Sequence, residues 1–203
     1  MPAGLSEGIT LLSQSRLVCK LPRKPSSKPA AALPFWSFSL RLYARPGVPE
    51  ACLDLQDRRG LDVNLVLFCC WRASRGLALR PEDVARADRW VRGWRRNVIR
   101  PLRRVRRNLK NDSFGMPTKM AAALRRQIAR IEIGAERAAQ NRLARLPHDT
   151  PEPMDPSGLL EANLRAYFDH AGLVAGRQDR RSWARISAAC GLADPPRRSR
   201  PSA

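Results

Sequence analysis

Three aspartates stand close together in the first half of the chain: Asp54, Asp57 and Asp62, accompanied by Gln56 and Asn64. On a helix, Asp54 and Asp57 would share a face, because residues three apart are neighbours there. Paired carboxylates of this kind can pass a proton between reacting groups or hold a divalent ion. A plainer use is also open. Asp62 follows Gly60-Leu61 and precedes a long apolar run, which is where an N-cap belongs. Asp54 and Asp57 have Arg58 and Arg59 beside them as ion-pair partners.

Five cysteines occur, at positions 19, 52, 69, 70 and 190. Their number is odd and none form a CxxC pair, so they do not read as a disulfide framework or as a structural zinc site, which uses paired local spacings. Cys52, Cys69 and Cys70 fall inside apolar segments, where a thiol behaves as a small hydrophobe. The two histidines are separated in the same way. His148 lies in a Pro-flanked stretch and His170 follows Asp169 at the end of a helical pattern, where a positive ring would suit the helix dipole. Neither has a nucleophile beside it in sequence. No Gly-rich phosphate loop or nucleophile elbow is present. The chain therefore reads as a binding protein rather than an enzyme, with no cofactor and no metal. An enzymatic site near Asp54, Asp57 or Cys69 is the alternative.

The basic segment that begins at Trp94 offers a different chemistry. Arg95, Arg96, Arg100, Arg103, Arg104, Arg106, Arg107 and Lys110 occur there with no acidic residue among them. Guanidinium groups bind phosphate bidentately, and a surface of them binds a polyanion with strong salt dependence. The whole chain agrees in sign, with a formal net charge of +20. Of its basic residues 33 are Arg and 5 are Lys, so Arg-rich coding also accounts for part of this face. The leading expectation is a polyanion, RNA more readily than specific DNA, with charge reversal at Arg103, Arg104 and Arg107 as the disruption. An acidic protein partner, for an adaptor or scaffold role, is the second expectation, and anionic lipid headgroups are a third class of ligand for the same surface.

These residues must be positioned by helices, because the periodicity is helical wherever it is clear and no strand pattern occurs. Phe35, Phe38, Leu42 and Tyr43 open the pattern, and Arg45-Pro46-Gly47 ends it as a turn. Pro49 and Glu50 start a second helix whose inner face holds Ala51, Cys52 and Leu55. Gly60 suits the left-handed residue after it. Leu65 to Trp71 is apolar on every side, the mark of a helix enclosed by its neighbours. Seven residues are far too few for a bilayer, which needs about 20. The apolar face also speaks against a helix-turn-helix DNA reader, whose second helix must present polar groups to bases.

Pro81-Glu82-Asp83 begins the longest run. Val84, Ala87, Val91, Trp94, Val98, Leu102, Val105 and Leu109 step by three or four, a single apolar stripe that leaves the arginines on outward faces. Pro101 lies inside it, where a kink or break is expected. After Asn111–Gly115 a second stripe follows: Met120, Leu124, Ile128, Ile131, Ala135, Ala138, Leu143 and Leu146. The two would pack as an antiparallel hairpin. Leu159–Phe168 and the Trp183/Ile186/Cys190 segment supply two further helices.

The expected fold is all-α: one helical-bundle domain over 34–192, with a central buried helix and a long two-helix hairpin. Residues 1–33 read as a disordered tail or an over-extended start, because the positive charges follow the short apolar part instead of preceding it as in a secretory signal. Residues 193–203 read as a disordered basic tail.

The block LYARPGVPEACLDLQDRRGLDVNLVLFCCW, with WRRNVIRPLRRVRRNLK after it, resembles a family of small conserved hypothetical proteins common in proteobacteria. The resemblance covers 34 to about 109, and 159–168 less closely. It implies a bacterial, cytoplasmic, helical protein and carries over no site residue, since the family has no assigned activity. Similar proteins begin near the FWSFSL segment, which leaves the first 33 residues outside the pattern.

Overall fold

The computed structural model describes residues 33–147 and 158–191, and these are helical throughout apart from short turns. The expected tails, 1–33 and 193–203, lie outside the described residues except for Leu33, and so do residues 148–157. The elements are α1 (Phe35–Tyr43), α2 (Val48–Arg59), α3 (Val63–Ala73), α4 (Pro81–Trp94), a π-helical turn (Arg95–Ile99), α5 (Arg100–Asn111), α6 (Thr118–Ala144), α7 (Leu159–His170) and α8 (Arg177–Cys190). The fold is all-α, as the periodicity predicts.

Local signals set the corners. Gly60 stops α2 in the left-handed region, at φ 69°, which a residue with a Cβ adopts only at a cost. Asp62 then caps α3, its carboxylate accepting the Asn64 N–H at 2.9 Å. Every residue of α3 is buried. It is the centre of the domain: α7 packs along it, and α1, α2, α4 and α6 also touch it. Its aromatic side chains meet α1, where Phe35 stacks on Trp71 with ring centroids 5.1 Å apart. Asn163 fixes α7 to this centre. Fully buried, it donates to the Cys69 and Leu77 carbonyls and accepts the Leu79 N–H at 2.7 Å. α8 packs on α2, held by Asp179, which accepts from Arg58 and Arg59 at 2.9 and 2.6 Å.

The chain stays helical through Pro101. The disturbance falls one turn earlier, in the π turn, where the Arg100 N–H reaches back five residues to the Arg95 carbonyl. Proline cannot serve the carbonyl four residues before it, and the wider spacing carries the ladder past that gap. An extra residue in one turn also rotates everything beyond it. The inward positions of α4 are Val84, Ala87 and Val91 as expected, but after the π turn they become Ile99 and Arg106, with Arg95 and Arg103 turned inward beside them. The expected stripe is thus displaced by one residue. Trp94 and Val105 are exposed, and Val98 and Leu102 lie at the edge of the core.

The hairpin of α5 and α6 forms, and its two helices pack closely. Its stripe on α6 is corrected as well. Met120, Leu124 and Ile131 are exposed, while Glu132, Glu136 and Gln140 are buried. Gly134 lies exposed in the interior of this helix, and a Cβ there would meet nothing within 4 Å. Gly134→Ala is therefore expected to stabilise the protein by about 0.5–1 kcal/mol, read as a higher urea midpoint at unchanged slope.

Candidate functional site

The displaced register opens a concave surface lined by arginines. The end of α2, the Gly60–Asp62 corner and the first turn of α3 face the π turn and α5 across a cleft of about 590 Å³. Arg95, Arg96, Arg100, Arg103, Arg104 and Arg107 line it, against Asp57 and Asp62 as the only carboxylates among its described residues, with Gln56, Asn64 and Tyr167 in the wall. Six of the eight basic residues expected to act together are gathered here. Arg106 is buried below the cleft and Lys110 is outside its lining.

The expectation that all of these arginines face outward is corrected. Arg95 bridges two elements, donating to Asp62 at 2.8 Å and meeting Asp88 at 2.9 Å. Burial opposes its charge, but the two carboxylates outweigh burial and raise its pKa. Arg103 donates to Glu132 at 3.1 Å, to Glu136 at 2.7 Å and to the Gln56 side-chain carbonyl at 3.3 Å. Arg106 donates to Glu132 at 2.6 Å, with both side chains 1% exposed. A short row of buried polar pairs therefore joins α6 to α5 and α3, and it ends at Gln140, which donates to Asn64 at 2.8 Å. These α6 partners are absent from the sequence-based candidates. Their trace is the spacing of Glu132, Glu136 and Gln140, at intervals of four on one helix face.

Arg96, Arg100 and Arg104 differ from these. They are exposed at the cleft and make no ion pair with another described residue. Arg107 sits deeper, where burial and then the charges of Arg103 and Arg106 lower its pKa. The cleft thus has an anchored set of cations fixed by internal carboxylates and an exposed set at the rim that makes no ion pair with another described residue. Tyr167 closes the bottom, its hydroxyl accepting the Asp62 N–H at 2.8 Å.

The other candidates do not converge. Asp54 accepts from Arg58, Gln178 and Ser182, a contact between α2 and α8. Asp57 belongs to the cleft and Cys69 to the sealed core. Burial pushes the Cys69 thiol up to about 12, which suits packing and not nucleophilic attack. Cys52, Cys69 and Cys70 are free and buried, as their apolar settings imply. His170 lies 3.5 Å from Asp88, and His148 and Cys19 are outside the described residues. Among the described residues, no three His, Cys, Asp or Glu side chains come together as a metal site would require. No described helix is long and apolar enough to cross a membrane.

Neither the curated proteins nor the solved structures contain a significant match to the chain. A family model does match, over residues 34–143. That span runs from α1 to the end of α6 and contains every arginine of the cleft, while Tyr167 and α8 lie beyond it. The chain belongs to this family, described as protein of unknown function DUF2390.

Proposed function

We propose that this is a non-enzymatic binding protein of the cytoplasm whose arginine-lined cleft takes the phosphate backbone of a nucleic acid, RNA more readily than a specific DNA sequence. The observation that carries this reading is the convergence of six arginines on one concave surface, with Arg96, Arg100 and Arg104 uncommitted at its rim. Phosphates would meet the rim cations first. Arg95 and Arg103, held in place by carboxylates, would add little entropy cost on binding. α3, the helix that follows the Gly60 corner, is buried at every position and offers no side chain to base edges.

The test is fluorescence anisotropy of labelled single-stranded RNA and duplex DNA across a salt series, with protein stripped of nucleic acid. Reversal of Arg103 is unsuitable, because it would bury another carboxylate against Glu132 and Glu136. The informative variant is R96E/R100E/R104E, whose side chains are exposed. Its affinity for RNA is expected to fall by about a hundredfold, and its salt slope by about 0.7 for each lost contact. Its melting temperature should hold. Unchanged affinity in this variant would remove the cleft as the site.

A further inference from the structure

The outer half of the hairpin carries a second surface, independent of the cleft. The core takes Ala135, Ala139 and Leu143 from α6 and reaches only Leu102 on α5. Met120 is fifteen residues before Ala135, so the turn stands about 20 Å beyond the core. Val105, one helical turn beyond Leu102, and Phe114, Met116, Met120 and Leu124 nearer the turn are all exposed, Phe114 at 63% and Met120 at 56%. Single exposed apolar side chains are ordinary, but a contiguous group of large ones marks an interaction surface. The helical advance of 100° per residue sets Val105 on the opposite side of buried Arg106 from Arg107 and the cleft. The antiparallel partner brings Met120 and Leu124 to the same side.

Phe114 is the tip of this surface. Among the described residues it is the one non-glycine residue with positive φ, at 53°, a conformation that strains an aromatic residue. Its N–H is held by the Asp112 side chain at 2.8 Å. The backbone thus keeps a large ring pointing away from the body.

The charge around the tip selects the partner. Between Asn108 and Ile131, beyond the arginines of the cleft and of the buried pairs, there are five basic residues, Lys110, Lys119, Arg125, Arg126 and Arg130, and one acidic residue, Asp112. A second copy would bring like charges together. A nucleic acid would meet the cations and leave the apolar tip uncovered. A convex end with protruding Phe and Met side chains, set among Lys110, Lys119 and arginines, matches a bilayer whose headgroups are negative and whose interior begins a few ångströms below. We propose that the end of the hairpin docks on an anionic phospholipid membrane, lying on it without crossing it.

Co-sedimentation of the full chain with phosphatidylglycerol/phosphatidylcholine vesicles, and with phosphatidylcholine alone, tests this. The chain is expected to bind the anionic vesicles and not the neutral ones. Phe114→Asn is the decisive variant, because asparagine accepts this backbone conformation more readily than phenylalanine and should leave the melting temperature unchanged or higher. Its vesicle partition should fall about tenfold, and that of M116S/M120S likewise. Three results would overturn the proposal: no binding to anionic vesicles, binding that ignores both apolar variants, or self-association without vesicles that F114N abolishes.

Discussion

Replacing Glu132 with leucine is expected to lower the free energy of unfolding by about 3–5 kcal/mol, since it removes one partner of a sealed ion pair. Arg106 is 1% exposed and its Nε donates to Glu132 at 2.6 Å. Its Nη2 is buried without a partner already, so the guanidinium has little to fall back on. Glu132→Leu would leave a cation in the hairpin with no counter-charge and would also take one carboxylate from Arg103. The pair itself is a different matter. Two desolvated charges offset most of their attraction by the cost of leaving water, so E132L/R106L should recover most of the loss. Urea denaturation of the two single variants and the double variant measures the coupling directly. A loss below about 1 kcal/mol in E132L would mean that water reaches this pair.

The buried pairs explain why part of this molecule was legible from residues alone and part was not. Gly60, Asp62, Pro49 and Pro81 act within one turn of themselves, so the helix boundaries around them follow from local chemistry. The enclosure of α3 follows from composition, because no polar face exists in Leu65–Trp71. The register of α5 depends on the π turn, and nothing in Arg95–Ile99 itself distinguishes a hydrogen bond five residues back from one four residues back. Reading the apolar stripe straight through therefore places Val105 inside and Arg106 outside, the reverse of the arrangement found. The apolar stripe is still used, in part at the core edge by Val98 and Leu102 and in part on the exposed hairpin face. The cleft suffers from range as well. Its arginines form one cluster in sequence, but Glu136 is 33 residues from Arg103, and Tyr167 is 105 residues from Asp62. Sequence spacing carries no information about contacts made at those distances.

Acidity should tune both the stability of this protein and its affinity for anions, through Glu136. Burial, opposed by Arg103 and aided by the charge of Glu132, pushes the Glu136 carboxyl up to about 7. Asp62 adds to the same effect, and the buried Tyr43 hydroxyl lies on the same electrostatic network. The unfolded chain has an ordinary glutamate near 4.5, so between these values the folded state holds the extra proton. Stability from this group is then complete below about 4.5 and is lost as the pH rises through about 7, by at most about 3 kcal/mol. The opposite shifts do not cancel it. Asp179, whose burial is outweighed by the Arg59, Gly176 and Arg58 hydrogen bonds, is held down at about 2. Its contribution disappears only in strong acid. The melting temperature should therefore be higher at pH 5.5 than at pH 8, and Glu136→Gln should flatten that difference. Protonation also leaves Arg103 with one carboxylate instead of two, which makes the cleft more positive. RNA affinity at fixed salt should rise as the pH falls through about 7, and the rise should vanish in E136Q. Equal melting temperatures at both pH values in the wild-type chain would show that Glu136 stays ionised beside Arg103, with the cleft carrying the same charge throughout.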